Sequence, residues 1–251
     1  MRYAILSDIH ANPKALKKVL RDARAEKADK IVCLGDVVGY GPDPVRAVAL
    51  CRESCDVTLM GNHDAAVAGV IATDDFIPFA RDGVRRHREL LRADEKSWLG
   101  GLPYVKMYPG FACAHGSIER PEQFEYIMDA RSVVMATMHL VDLKRRVLFV
   151  GHTHHACVFD YDSAANRLKV LPPDEFTVKP RHRYIVNVGS VGYPRNDHHT
   201  TYVLYDTATK SVRFRNLKFD FASYIKDMEA LNVELPIWLD DFTRSTDRGW
   251  S

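Results

Sequence analysis

The first part of the chain alternates short apolar runs with segments of helical periodicity. Residues 3–6, 30–34 and 56–60 are mainly apolar and lack helical spacing, which predicts three buried β-strands. Between the first two, apolar residues recur on one helix face after Asn12-Pro13, a pair typical of a helix start. Another helical stretch follows the second run. This strand–helix–strand–helix–strand order predicts parallel strands joined by right-handed crossovers.

The rest of the chain predicts a helical middle section followed by short strands. Helical spacing over residues 76–91 and 129–140 predicts helices, and residues 103–115 predict a hairpin around Pro109-Gly110. The apolar run 147–150 predicts another buried strand. Turn signals then separate five short runs that predict mainly antiparallel strands, at 156–160, 168–171, 184–188, 201–206 and 211–217. In the tail we expect a docking helix within 219–231 and a frayed end at 243–248.

Composition narrows the class of protein without indicating a function. The 251 residues are 46% hydrophobic and 27% charged, as in soluble globular proteins, and no linker or repeat divides them, which predicts a single domain over 1–251. A net charge of +2 gives no strong signal for nucleic acid or an anionic membrane. Five scattered cysteines and no apolar run of signal-peptide or membrane length predict a cytoplasmic protein without a membrane partner. Both a monomer and a homo-oligomer remain open.

Residues of metal-ligand type follow five of the predicted strands where each strand ends. In parallel sheets, ligands gather at the carboxyl ends of the strands. A single Asp after Gly, or a single Asn-His pair, is more often a turn, but such residues recur here at equivalent positions. His87 and His139 fall in helical stretches and are not counted as ligands. The candidate ligands are Asp8, His10, Asp36, Asn62, His115, His152 and His154.

This set of side chains indicates a particular metal chemistry. Carboxylate, amide and imidazole ligands without thiolate suit Mn²⁺, Fe, Ni²⁺ or Zn²⁺. The set is too large for one open catalytic ion and suits two ions about 3.5–4 Å apart that share a carboxylate. Such a pair lowers the pKa of a bridging water and clamps a phosphoryl group during in-line displacement. His63 is placed to protonate the leaving alkoxide, with Asp64 or a backbone carbonyl fixing its tautomer.

Taken together, these blocks resemble the calcineurin-like metallophosphoesterases. The motifs, in family order, are Asp8-x-His10, Gly35-Asp36, Gly61-Asn62-His63-Asp64, His115 and Gly151-His152-x-His154. The Gly-rich loop 189–195 also resembles prokaryotic members. The resemblance implies an α/β fold, a four-layer αββα sandwich of two mixed sheets flanked by helices, with a dinuclear metal site at the strand ends. It further implies one ion held by Asp8, His10, Asp36 and His154, another held by Asp36, Asn62, His115 and His152, and His63 as proton donor or transition-state stabiliser.

We therefore expect a metal-dependent phosphoesterase that acts on phosphomonoesters or phosphodiesters. Alternatives are a nucleotide-specific hydrolase, such as a dinucleoside polyphosphatase, and a phosphoprotein phosphatase. Some proteins of this fold are non-catalytic scaffolds that lack the acid/base histidine, but His63 is present here. A metallo-β-lactamase would need His-x-His-x-Asp-His, whereas His155 and Ala156 follow His154.

Four residues are candidates for contacts with the substrate. Arg195, at the end of the Gly-rich loop, is suited to bidentate hydrogen bonds with a phosphate, although a surface role is equally compatible. Asn12 lies close enough to His10 to reach the same phosphate, but it is also the expected helix cap. Tyr40 and Tyr193 are candidates to flank a nucleoside base, which nothing in the sequence requires.

Overall fold

A computed structural model describes residues 1–195, 199–233 and 235. Its strands form two six-stranded sheets. The first contains, in spatial order, β3 (Val57–Thr58), β2 (Lys30–Cys33), β1 (Arg2–Leu6), β11 (His199–Asp206), β12 (Ser211–Lys218) and β9 (Phe176–Thr177). The second contains β4 (Val105–Tyr108), β5 (Phe111–Ala114), β6 (Val147–Val150), β10 (His182–Asn187), β7 (Cys157–Asp162) and β8 (Arg167–Leu171).

Both sheets are mixed and have parallel strands near their centres. β1 is parallel to β2 and antiparallel to β11. β6 lies between β5 and β10 and is parallel to both. The prediction of antiparallel strands after residue 154 is therefore confirmed for β7, β8, β11 and β12, but wrong for the pairing of β10 with β6. In β10 the chain returns to the centre of the sheet beside β6, a long-range pairing that turn signals do not encode.

Within the described residues, the helices cover the outer faces of the two sheets. Asn12 caps the first helix by accepting a hydrogen bond from the Ala15 N–H, as predicted. The predicted stretch 76–91 lies mainly in one helix, and the predicted end 243–248 lies outside the described residues. None of the described helices is long and apolar enough to cross a membrane. The helices are α1 (Pro13–Ala25), α2 (Pro44–Ser54), α3 (Asn62–Ala68), α4 (Pro78–Leu90), α5 (Ala93–Gly100), α6 (Ala130–Asp142) and α7 (Phe221–Glu229), with a 3₁₀ turn at Pro121–Gln123.

Alternation of side chains along the strands produces the four layers. In β1, Ile5 faces the core between the sheets, whereas Leu6 packs with helices on the outer face. In β6, Phe149 joins the same inter-sheet core and Leu148 packs under α6. The αββα sandwich is thus confirmed. It brings the ends of β1, β2, β5 and β6 to one edge of the molecule.

Candidate metal centre

The chain enters the site through residues in the left-handed backbone region. Strand β1 ends at Leu6, and Asp8 and His10 have φ of 55° and 46°. Asp36 has φ of 52°, and the two histidines of the Gly151 turn have φ of 68° and 64°. This conformation costs non-glycine residues about 1–2 kcal/mol each and concentrates at functional sites. Tight turns therefore direct the side chains of Asp8 and His10.

Asp8, His10 and His154 form a first group, with one potential ligand atom from each within 4.8 Å of the others. His10 Nδ1 donates to the carbonyl oxygen of Val38 at 3.1 Å, and His154 Nδ1 donates to that of Tyr193 at 2.8 Å. Because a carbonyl oxygen only accepts, each Nδ1 carries the proton and each Nε2 presents a lone pair. The two Nε2 atoms lie 2.9 Å apart. Two lone pairs that face each other at this distance repel, and a positive charge between them would remove the repulsion.

Asp36, His115 and His152 form a second group with the same spacing. His115 Nδ1 donates to the carbonyl oxygen of Leu34 at 3.2 Å, so its Nε2 is the nitrogen left to bind either a proton or a metal ion. That Nε2 is buried and has no hydrogen-bond partner among the described residues, and the same holds for Asn62 Oδ1. Buried polar atoms normally have partners, so these two are suited to a ligand.

The carboxylate of Asp36 lies between the two groups. Its Oδ2 is 3.4 Å from His115 Nε2 and 3.7 Å from His10 Nε2, too far or too poorly aligned to be hydrogen bonded to either. Its Oδ1 accepts a hydrogen bond from the His63 N–H at 2.9 Å. A side chain at Gly61 would place Cβ 2.1 Å from that Oδ1. One carboxylate oxygen thus faces both groups, as a shared ligand requires.

The charges at the site also favour cations. Burial works to raise the pKa of Asp36, but the imidazoles of His115, His63 and His10 outweigh it and hold that pKa well below its usual value. For His115, burial works to lower the pKa, whereas the Asp36 and Asp8 carboxylates raise it to about 9. The buried carboxylates therefore attract positive charge strongly enough to hold a proton on an imidazole. Divalent cations would also neutralise these carboxylates, and the carboxylate, amide and imidazole ligand atoms are suited to binding them.

His63 lies beside both groups and is buried. One ring nitrogen is within 4.8 Å of potential ligand atoms of His10 and Asp36. The ring also packs edge-on to Phe76, with centroids 5.1 Å apart. Burial lowers the pKa of His63 to about 4. In the absence of other charges, His63 is therefore a neutral imidazole, and it lies at the edge of the site.

Asp64 does not form the expected hydrogen bond with His63. Its carboxylate accepts from the Gly61 N–H at 3.1 Å and from the Val38 N–H at 3.2 Å. His63 Nδ1 is buried and has no hydrogen-bond partner among the described residues. Asp64 therefore ties the start of α3 to the loop after Asp36, and the prediction that it fixes the His63 tautomer is wrong for this structure.

His87, rightly excluded as a ligand, supports the loop beside His63. Its Nδ1 accepts from the Gly39 N–H and its Nε2 donates to the Gly41 carbonyl oxygen, both at 2.9 Å. Gly39 has φ of 88° and packs so closely that a Cβ there would lie 2.1 Å from His63 Nδ1. The sequence shows His87 only as one position of a helix, because its partners lie more than forty residues away.

We expect His87 to make stability depend on pH. Burial lowers its pKa to about 3 from the ordinary 6.5, so the unfolded chain binds a proton here before the folded one does. The free energy of unfolding should therefore fall as pH drops from 6.5 towards 3, by up to about 1.4 kcal/mol per pH unit. Above pH 6.5, His87 should not change the free energy of unfolding with pH. In denaturant titrations, the stability difference between wild type and His87→Gln should narrow as pH falls. His139→Gln is the control, and a pH-independent difference for His87→Gln would contradict the expectation.

A cavity of about 560 Å³ opens over the site. Asn62, His63, His152 and Arg195 contribute to its lining. Tyr126 also lines it and stacks on His152, with ring centroids 3.8 Å apart and planes at 10°. Tyr126 follows no motif in the sequence, and only the folded chain brings it to the metal site.

Of the other candidates for substrate contacts, Tyr40 lines the cavity, whereas Tyr193 and Asn12 are absent from the described residues that line it. The rings of Tyr40 and Tyr193 stack on each other with centroids 4.5 Å apart, and Tyr193 is buried, so no base fits between them. Asn12 accepts from the Ala15 N–H, and its amide donates to the Gly192 carbonyl oxygen at 3.4 Å. Asn12 is absent from the described residues that line the cavity, so its helix-cap role explains it.

Known proteins share this architecture and these motifs. Residues 1–210 match the family model of the calcineurin-like phosphoesterase superfamily domain. The chain is similar to a crystal structure of a metallophosphoesterase from Sphaerobacter thermophilus, with 34% identity, a TM-score of 0.80, and 95% and 96% of the two chains covered. It is 28% identical over 243 residues to the uncharacterized protein MJ0912 of Methanocaldococcus jannaschii, covering 95% of each. The hypothetical protein PH1004 from Pyrococcus horikoshii OT3 shares the fold, with 19% identity, a TM-score of 0.71 and 95% of each chain covered.

Proposed function

Since this chain belongs to the calcineurin-like phosphoesterase superfamily, we propose that it hydrolyses phosphoester bonds with the help of two divalent cations. Members of this family use divalent metals, and the donor groups described above fit them. The observation that carries the proposal is that Asp36 Oδ2 faces the Nε2 atoms of His10 and His115 at once. One cation would be held by Asp8, His10, Asp36 and His154, and the other by Asp36, Asn62, His115 and His152.

The protein's own residues would position the substrate and supply a proton. When bound, the cations supply Lewis acidity, which makes water a better nucleophile at neutral pH and offsets phosphoryl charge. Backbone carbonyls hold His10, His115 and His154 in one tautomer, so that their ligand atoms need no rearrangement. His63 lines the cavity, and in its protonated form, which the negative charge of a bound phosphate favours, it would give a proton to the leaving oxygen. Packing against Gly39 and Phe76 holds its ring in place.

The cavity supports esters of an apolar or aromatic alcohol. Its apolar and aromatic lining includes Ile71, Phe76, Ile77, Phe124 and Tyr126. Such a lining binds the organic part of a ligand through burial of apolar surface, while the few polar groups orient it. The volume of about 560 Å³ accommodates an aryl or nucleoside group beside the phosphate.

The charges around the cavity argue against substrates with several phosphates. Among the described lining residues, Arg195 is the one with a permanent positive charge, whereas Asp75 and Glu122 add carboxylates. A second phosphate group would meet these carboxylates without a compensating cation. We therefore favour esters with a single phosphate group over dinucleoside polyphosphates.

A substrate panel with added Mn²⁺ tests this proposal. It should span aryl monoesters and diesters, nucleotides, dinucleoside polyphosphates and phosphopeptides. We expect the highest kcat/KM on esters with one phosphate and an aromatic alcohol. Preference for a dinucleoside polyphosphate or a phosphopeptide would select the corresponding alternative. Metal binding without hydrolysis of any of these esters would favour a non-catalytic scaffold.

Arg195→Ala should weaken phosphate binding by about tenfold or more, because a charge-assisted hydrogen bond contributes about 1.5–3 kcal/mol. The Arg195 side chain lines the cavity and interacts with Tyr40. Burial raises the pKa of the Tyr40 hydroxyl to about 12, and the charge of Arg195 acts in the opposite direction. The measurement is the inhibition constant of inorganic phosphate. Arg21→Ala, on the exposed side of α1, is the control. An unchanged constant for Arg195→Ala would refute the contact.

A further inference from the structure

Helix α6 exposes an apolar stripe on the side away from its sheet. Its inner face packs on the second sheet through buried residues such as Val133 and Leu140. Half of the fourteen large apolar side chains that are exposed among the described residues lie between residues 126 and 143. A soluble monomer rarely leaves so much apolar surface contiguous without a use for it. On the outer face of α6 they are Val134 (46% exposed), Met135 (40%), Met138 (57%) and Val141 (47%).

The centre line of this face carries opposite charges at its two ends and apolar residues between them. Arg131, Met135, Met138 and Asp142 follow one another at intervals of four, three and four, which places them in one row along the helix. The row begins with a cation, has two thioethers in the middle and ends with an anion. All four are exposed, and neither Arg131 nor Asp142 forms an ion pair within 4 Å in the described part of the chain.

An antiparallel copy of the same helix complements this row. When Met135 faces the partner's Met138, Arg131 faces the partner's Asp142, and the twofold axis repeats each contact. In this register the opposite charges of Arg131 and Asp142 meet twice across the twofold axis, and charge complementarity of this kind fixes the alignment of two surfaces.

We propose that α6 is the interface of a homodimer in which two copies of the chain pack α6 antiparallel across a twofold axis. Such an isologous contact uses the same surface on both subunits. A helix of 13 residues is about 20 Å long, so with its flanking residues it buries less than the roughly 800 Å² per partner of a standard interface. The dimer should accordingly dissociate in the micromolar range.

A membrane surface is the competing occupant, since Lys144, Arg145 and Arg146 follow the helix. Anionic lipid would favour those residues. However, the acidic Asp129 and Asp142 lie at the two ends of the apolar row, where such a surface would repel them. The opposite charges at the two ends of the row, Arg131 and Asp142, can both be paired by a second copy of the chain, and this favours the dimer.

A charge-swap experiment on the full chain tests the dimer. Sedimentation velocity from about 1 to about 200 µM should show wild type shifting from monomer to dimer. Arg131→Asp and Asp142→Arg should each weaken dimerisation about tenfold or more, because both symmetry-related ion pairs become repulsive. An equimolar mixture of the two variants should form a heterodimer, since both contacts across the twofold axis then join an aspartate to an arginine. Arg21→Asp, at an exposed position of α1, is the control for a change of net charge.

Several outcomes would overturn this proposal. Wild type that stays monomeric at the highest concentration excludes the dimer. If Arg131→Asp and Asp142→Arg both still dimerise like wild type, the interface lies elsewhere. The same holds if each variant is monomeric and their equimolar mixture does not restore dimerisation. Monomeric wild type that binds phosphatidylglycerol vesicles, with binding lost in Met135→Ser/Met138→Ser, would assign the face to a membrane. The double variant Arg131→Asp/Asp142→Arg should dimerise like wild type, and circular dichroism of each variant checks that it folds.

Discussion

His63→Ala should slow hydrolysis of a phosphoester with a poor leaving group by about 10²–10⁴-fold, the usual contribution of a general acid. The imidazole lies at the cavity lining beside the two ligand groups, where it can reach the oxygen of a departing alkoxide. On p-nitrophenyl phosphate the loss should be much smaller, because p-nitrophenolate leaves without a proton. The measurement is kcat on an alkyl and an aryl ester for both proteins.

The metal content of the same variant separates two roles for His63. If His63 is only a proton donor, its removal should not affect metal binding, so wild type and His63→Ala should bind equal amounts of metal. One nitrogen of His63 is also near potential ligand atoms of His10 and Asp36, so a drop in bound metal would instead make His63 a ligand. Equal losses of rate on both esters, with metal retained, would remove the proton-donor role.

Asp36→Asn should reduce the binding of both cations and lower the rate by on the order of 10³-fold or more, since it removes the shared charge of a two-cation site. Its Oδ2 faces His115 in one group and His10 in the other. The neutral amide keeps the shape of the side chain but not its charge. Metal content after Mn²⁺ loading and removal of free metal is the direct measurement, with kcat as the second.

Asp160→Asn is the matched control for Asp36→Asn. Asp160 is also a buried aspartate, but it lies on β7 and pairs with His182 at 2.6 Å, away from the metal centre. Its substitution should leave the metal content unchanged. An Asp36→Asn protein that kept two cations and full activity would show that this carboxylate is not shared.

That the candidate ligands would lie together could be predicted from their residue types and from their positions after predicted strands. Strands rich in Val, Ile and Leu had to be buried, and parallel strands had to end at a common edge. For example, His115 directly follows β5 and Asp36 lies three residues after β2, and the two do meet, with His115 Nε2 and Asp36 Oδ2 3.4 Å apart. The αββα layering, in contrast, came from the family resemblance and not from periodicity.

The backbone geometry and the supporting contacts could not be predicted from the sequence. Left-handed conformations at Asp8 and His152 are imposed by packing from distant segments, since local preference disfavours them. The hydrogen bonds of His87 and the stacking of Tyr126 on His152 likewise join residues that are far apart in the chain. For Asp64, proximity in sequence to His63 suggested a contact that the helix start at Gly61 prevents.

Anomalous diffraction from crystals of the Mn²⁺-loaded protein tests the two-cation site most directly. We predict two manganese peaks about 3.5–4 Å apart, with the Asp36 carboxylate between them. One peak should contact His10 and His154, and the other His115 and His152. A single manganese, or manganese bound away from Asp36, would contradict the proposed site.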